Sequence, residues 1–320
     1  MSFKPILIVA GEPNSIFLEI LFKSYKHRIS SPIILIASLN LLVLQMKKLN
    51  FQKKIRLINS KKLETIKLDN KSINLIDVPY TQKKAFEFKS NKSNQYIHDC
   101  FKIAFKILDK KITNKFINGP IYKKNFLENK YLGITEFLCK KFSTKKNAML
   151  IYNENLSVCP VTTHLPLKLV SKKITRNLVK DKIKLINTFY KTNFFKLPKI
   201  AVLGLNPHCE SIHKYNEDEK ILKPLISNLK KNNIKIYGPF SADTFFLKQN
   251  RKKFNVILGM YHDQVLTPLK TLFEYDAINI TMGLSFLRVS PDHGPNEKMI
   301  NKKISNPISL IKSLEFLDKN

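Results

Sequence analysis

Three histidines in this chain share a context in which an imidazole could do chemistry. His164, His208 and His262 each stand a few residues after an apolar run: Asn155–Val161, Lys199–Leu205 and Asn255–Met260. Runs of that length and character read as buried strands. In open α/β sheets, ligands bind outside the carboxyl ends of strands. Three imidazoles at such ends could converge on one divalent ion and leave coordination positions open for substrate, which is the catalytic rather than the structural arrangement. The competing reading is three unrelated histidines making capping or core hydrogen bonds. Of the other four, His27 and His98 fall on predicted helices as structural or surface residues, and His213 and His293 on predicted loops.

The elements that would hold these side chains follow from hydrophobic periodicity. PILIVA (5–10) reads as a buried strand, Gly11-Glu12-Pro13 as its turn, and Asn14 or Ser15 as the cap of a helix carrying Ile16, Leu18, Ile20, Leu21 and Phe22. A strand is expected over Ser31–Ile36. Residues 45–93 are lysine-rich and weakly periodic and place no elements. Ile97, Phe101, Ala104, Phe105 and Leu108 share one helical face. A strand near Phe116–Asn118 runs into Gly119-Pro120, with a helix starting near Lys123. The second half alternates: the three histidine-bearing strands, helices over Val170–Phe189 and Glu217–Lys230, and strands at Ile234–Ile236 and Ala277–Thr281. Asn306 caps a last helix with Pro307 in its first position. This alternation predicts an α/β protein with a mainly parallel sheet.

Composition excludes several classes. The 320 residues suggest two domains or one large one. A formal charge of +32, from 56 Lys+Arg against 24 Asp+Glu, could draw a polyanion. The lysines are scattered in pairs, however, without a long block of like charge or a basic stripe interleaved with aromatics. The charge therefore reads as solvated surface, and no dedicated nucleic-acid binding is expected. Cys100, Cys139, Cys159 and Cys209 form no CxxC pair and read as thiols in a reducing cytoplasm. No signal peptide or membrane span is expected. The eight glycines are too far apart for a GxGxxG fingerprint, a phosphate loop or a GxSxG elbow. Any nucleotide cofactor is held by another geometry.

Six stretches carry a resemblance: GEP (11–13), TTHLPL (162–167), GLNPHCE (204–210), ADT (242–244), MYHDQ (260–264) and NITMGLSFLRVSPDHG (279–294). Together they resemble the 4-hydroxythreonine-4-phosphate dehydrogenase (PdxA) family. The resemblance is specific over 160–294 and loose over 40–95. It implies a fold like isocitrate and isopropylmalate dehydrogenases, with two α/β/α domains and the active site in the cleft. The first domain would span 1–125 plus 295–320, and the second 126–294. It also implies a cytoplasmic homodimer with a shared active site, binding NAD or NADP without a Rossmann fingerprint. One divalent ion per site (Zn, Mg, Mn or Co) would be held by His164, His208 and His262, completed across the dimer. Thr135, Lys270, Asn279 and Arg288 fall on substrate-contacting positions. Asp243, Asp263 and Lys270 are the candidates for the catalytic base, and Asp263 and Gln264 also read as groups that orient His262.

The implied reaction is oxidation of 4-phosphooxy-L-threonine to 2-amino-3-oxo-4-phosphooxybutanoate, which loses CO2 to give 3-amino-2-oxopropyl phosphate in vitamin B6 biosynthesis. The alternatives are a sister dehydrogenase of threonate or erythronate 4-phosphate, a decayed paralogue, and a basic nucleic-acid-binding protein. The chain departs from the family pattern at Ile134, where a histidine is usual, and Lys123 or Lys124 could substitute for it. It also has Ser15, Phe17, Cys209 and Val265 in segments where the family uses glycine-rich turns.

Overall fold

The computed structural model describes residues 3–87, 92–122, 131, 133–210, 215–291 and 294–320. They form two compact units, 1–141 with 285–320, and 142–284. Both units have the α/β architecture expected.

The first unit is built on strands β1 (Ile6–Val9), β2 (Ile33–Ala37), β3 (Ile55–Leu57), β4 (Ile73–Asp77), β5 (Lys115–Asn118) and β12 (Leu287–Pro291), in the order β3-β4-β2-β1-β5-β12. Every pairing among them is parallel. The chain winds outward from β1 to β2 and beyond, then returns to β5 on the other side of β1. The order therefore reverses between β1 and β5, where a crevice for ligands is expected. Gly11 and Gly119 leave the two strands there. A Cβ on Gly11 would lie 2.4 Å from the Pro120 carbonyl oxygen, and one on Gly119 would lie 2.1 Å from that of Ala10, so neither position admits a side chain. Ser15 closes the turn that follows by donating from Oγ to the Glu12 carbonyl (2.8 Å). It also accepts from the Phe17 amide (3.3 Å).

The boundaries differ from those expected. Helix Ile134–Lys141 belongs to the first unit because Phe137 stacks edge-on against Phe101 of the long helix Lys92–Asp109 (6.0 Å). β12 belongs there because it pairs with β5. The predicted apolar face of the long helix is buried at Ile97, Phe101, Ala104, Phe105 and Leu108. His27 lies in the turn after helix Phe17–Ser24 rather than on it.

The second unit has the order β11 (Ile278–Met282), β6 (Ala148–Tyr152), β7 (Ser157–Pro160), β10 (Val256–Gly259), β8 (Ile200–Leu203) and β9 (Ile236–Phe240). β6 runs antiparallel to both β11 and β7, while β7, β10, β8 and β9 are parallel. The helix expected over Val170–Phe189 is broken: Ile174 and Thr175 are extended, and the Thr175 side chain caps a new helix, Arg176–Phe194, by accepting from the Leu178 amide (3.2 Å). The helix expected from Glu217 opens with a π-turn, Asp218–Leu222, before Lys223–Lys231, and Pro224 supplies no N–H for a regular turn. Among the described residues no helix is long and apolar enough to cross a membrane.

The first unit also shows how its last helix, Ile308–Lys319, is fastened. Asp318 accepts from the backbone amides of Ser30 (2.9 Å) and Ser31 (2.6 Å) ahead of β2. Lys115, buried at the start of β5, donates to Ser31 Oγ (3.1 Å). Burial alone would raise the Asp318 carboxyl, but the two amides, the Ser31 hydroxyl and the Lys115 charge outweigh it and hold it below its ordinary value. A depressed carboxyl stabilises the fold above its unfolded pKa, and that contribution is lost as pH falls through the folded value. Asp318→Asn should therefore cost about 1 kcal/mol at neutral pH. The gap to the parent should close as urea midpoints are followed below about pH 4. A gap independent of pH would remove the carboxylate from this account.

Candidate active site

β7, β10 and β8 are neighbours and run the same way, so His164, His208 and His262 leave three adjacent strands at the same edge of the sheet. The His164 and His262 rings lie 6.2 Å apart, centroid to centroid. His262 opens a helix, His262–Phe273, that periodicity did not predict because it begins polar and contains Pro268. Its Nδ1 is 2.6 Å from Asp263 Oδ1. A carboxylate there favours the tautomer with the proton on Nδ1 and leaves Nε2 as a lone-pair donor. His208 Nδ1 faces Ser241 Oγ at 3.4 Å, and that hydroxyl donates to Asp243 Oδ1 at 2.5 Å. The His208 and His262 imidazoles are thus engaged at Nδ1, which suits metal ligation through Nε2. Among the described residues of one chain, no three His, Cys, Asp or Glu side chains gather closely enough to hold an ion. The donor chemistry of the three imidazoles fits a divalent cation.

His208 and Cys209 are both left-handed, with φ of 54° and 60°. That conformation costs a non-glycine residue roughly 1–2 kcal/mol. Asp218, fully buried, offsets it by holding the approach to this turn. It accepts from the amides of Leu205 (2.8 Å) and Asn206 (3.0 Å) and from Asn206 Nδ2 (2.8 Å). Asp218 lacked any pattern in the sequence because its partners are more than ten residues away.

The base candidates differ in their surroundings. Asp263 is committed to His262. Asp243 is exposed, and its carboxyl is held below its ordinary value chiefly by the Ser241 hydroxyl, which makes it a carboxylate of low basicity. Lys270 is half-buried two turns beyond His262, about 12 Å along the helix axis. Asn279 on β11 is level with Ile151 of β6, away from the histidine-bearing ends, and its Oδ1 is buried with no hydrogen-bond partner among the described residues.

Two further candidates belong to the first unit. Arg288 of β12 is 1% exposed and donates from Nε to Asn118 Oδ1 (2.9 Å). Burial pushes its guanidinium down to about 10, against the pull of Cys139 and Glu136, so it stays charged at neutral pH. Thr135 is half-buried in the first turn of the helix that also carries Glu136 and Cys139, which places it in the same neighbourhood as Arg288. Asn118, not singled out from the sequence, orients Arg288. Lys123, Lys124, His213 and His293 lie outside the described residues.

Val265 occupies space that Gly259 leaves open. It is fully buried among Val158, Ile257 and Leu269, and a Cβ on Gly259 would lie 2.4 Å from its Cγ1. Its backbone is not left-handed, so valine carries no strain there.

Residues 21–317 match the family described as pyridoxal phosphate biosynthetic protein PdxA. Over 248 residues the chain is 37% identical to a 4-hydroxythreonine-4-phosphate dehydrogenase of Sulfurihydrogenibium sp., covering 76% of this chain and 75% of that one. It is 30% identical over 302 residues to the D-threonate 4-phosphate dehydrogenase of Salmonella typhimurium, covering 92% of each. A solved 4-hydroxythreonine-4-phosphate dehydrogenase from Klebsiella pneumoniae superposes with a TM-score of 0.85 at 25% identity over 99% of both chains. A β-decarboxylating dehydrogenase from Thermococcus kodakarensis shares the fold alone, with a TM-score of 0.50 at 13% identity over 98% of this chain and 82% of that one. The fold expected from the sequence motifs is the one these likenesses carry.

The fit of Val265 to Gly259 is testable. Gly259→Ala should destabilise the protein by about 1–3 kcal/mol through overpacking. In a Val265→Ala background the same change should cost less by about 0.5 kcal/mol or more, read as a double-mutant cycle in urea. Strictly additive costs would contradict the contact.

Proposed function

The chain belongs to the PdxA family and is an oxidoreductase of the dehydrogenase type; on that footing we propose that it oxidises 4-phosphooxy-L-threonine with NAD or NADP in pyridoxal phosphate biosynthesis. The product, 2-amino-3-oxo-4-phosphooxybutanoate, is a β-keto acid that loses CO2 to give 3-amino-2-oxopropyl phosphate. The observation that carries this reading is the placement of His164, His208 and His262 at the carboxyl ends of three adjacent parallel strands.

These imidazoles would hold one divalent ion (Zn, Mg, Mn or Co), with His262 contributed by a second copy in a cytoplasmic homodimer. When bound, such an ion supplies Lewis acidity to the substrate hydroxyl and to the ketone that replaces it. NAD or NADP would supply the hydride acceptor. Asp263 keeps the proton of His262 on Nδ1, and Ser241 does the equivalent service for His208. Lys270 and Arg288 carry fixed positive charge for the phosphate and carboxylate. Asn118 orients the Arg288 guanidinium by accepting from Nε. Thr135 and Asn279 would add polar contacts to the substrate. Among the base candidates Asp243 is the weaker by its low basicity.

A second reading, a sister enzyme for D-threonate 4-phosphate, is favoured by the likeness to the Salmonella typhimurium enzyme and by Ile134, which offers no hydrogen bond. The two are separated by substrate. NAD reduction with 4-phosphooxy-L-threonine, abolished by a chelator and restored by divalent metal, is the expected result. His208→Ala should lower kcat/KM by about 100-fold or more, beyond the 10–100-fold typical of an outer-shell partner. Turnover of D-threonate 4-phosphate alone would favour the sister activity, and chelator-insensitive turnover would overturn the metal assignment.

A further inference from the structure

The parallel ladder between β8 and β10 ends at the pair Val202↔Leu258. Continued in register, the next two pairs would be Leu203 with Gly259 and Gly204 with Met260. The strands instead part, and one side chain spans them where Gly204 and Met260 would have met. Gln264 accepts from the Met260 amide through Oε1 (2.7 Å) and donates through Nε2 to the Gly204 carbonyl (2.7 Å). Because one partner is an N–H and the other a C=O, the orientation of the carboxamide is unambiguous. It stands in for a peptide group inserted between two strand ends.

The other flank of β10 behaves differently. There the ladder with β7 continues past Gly259↔Pro160, through Val161 N to Gly259 O (2.8 Å) and Thr162 N to Met260 O (3.2 Å). The Thr162 hydroxyl donates to the same Met260 carbonyl (2.8 Å). The His164 and His262 ends are therefore zipped together, while the His208 end is held off by the length of one carboxamide. Space at this point is tight. A Cβ on Gly204 would lie 2.6 Å from Cys209 Sγ, and one on Gly259 3.0 Å from Gln264 Oε1. A helix cap would bond within its own turn, whereas the Gly204 bond reaches sixty residues back to a different strand.

We propose that Gln264 is a positioning residue: its carboxamide sets the gap between the His208-bearing and His262-bearing strand ends, and through it the placement of His208 for a divalent cation. The cation part rests on the function proposed above; the spacing part does not. Gln264→Asn keeps both hydrogen-bonding groups but is one methylene too short to span the gap. Gln264→Glu keeps the acceptor for Met260 but sets an oxygen against the Gly204 carbonyl. Ser157→Ala, at the opposite end of β7, removes the hydroxyl that partners Tyr190 and serves as a control for general loss of stability.

Two readouts on the full-length protein decide the matter. In the metal-free protein, imidazole nitrogen resonances of His208 should shift in both Gln264 variants and stay put in Ser157→Ala. In Co2+ titrations followed by calorimetry and visible absorption, both Gln264 variants should bind about 10–100-fold more weakly than the parent, with Ser157→Ala unchanged. Unshifted His208 resonances, or parental Co2+ affinity in folded Gln264 variants, would overturn the proposal. A parent that fails to bind Co2+ would overturn the cation part together with the metal reading above, and the imidazole resonances would still decide the spacing. If Gln264→Glu does not fold, the shorter amide carries the test.

Discussion

The three-strand run β7-β10-β8 is the constraint on which everything else in the second unit depends. Parallel pairing aims all three carboxyl ends in one direction, and a sheet spacing of about 5 Å keeps them close. The three histidines therefore leave the sheet at one edge although they are separated by dozens of residues in the chain. An antiparallel strand in the middle would send His262 to the opposite edge. Apart from Ser157 the residues of these strands are apolar, and all are buried, so their packing sets the platform and the polar exits are free to carry chemistry. The exits are then tied by side chains: Thr162 to Met260, Gln264 across to Gly204, and Asp218 along the approach to His208.

Much of this was legible in the sequence, for identifiable reasons. Strands such as Ile6–Val9 and Val256–Gly259 are unbroken apolar runs, and their ends could be read from the polar residues that follow. β12 escaped notice because Arg288 interrupts its apolar pattern, and a buried arginine makes sense only once Asn118 and Glu136 are seen beside it. β6 is a short run after a lysine-rich stretch. Helix His262–Phe273 was hidden by its proline and its polar first turn. The histidines themselves stood out by context. Asp263 and Gln264 were read beside His262, but the reach of Gln264 to Gly204 and the hold of Asp218 on Leu205 and Asn206 were not, because the fold alone brings those partners near.

The missing glycines have distinct physical accounts. Ser15 uses its hydroxyl to close a turn that needs no positive φ. Val265 fills the space beside Gly259. Cys209 is different: it and His208 hold left-handed backbone without glycine's freedom, and the buried Asp218 carboxylate fastens the segment before them. Strain of this kind at a proposed ligand agrees with a site in which imidazole direction matters more than local comfort. The charge of +32 comes from lysines scattered along the sequence without a long block of like charge.

The most direct test of this account is a diffraction measurement on protein loaded with Zn2+ or Co2+, using the anomalous signal to locate the ion. The account predicts one ion per site, with Nε2 of His164 and His208 of one subunit and of His262 of the partner subunit at about 2.0–2.1 Å. An ion held elsewhere, or imidazoles that remain apart in a metal-loaded crystal, would contradict it.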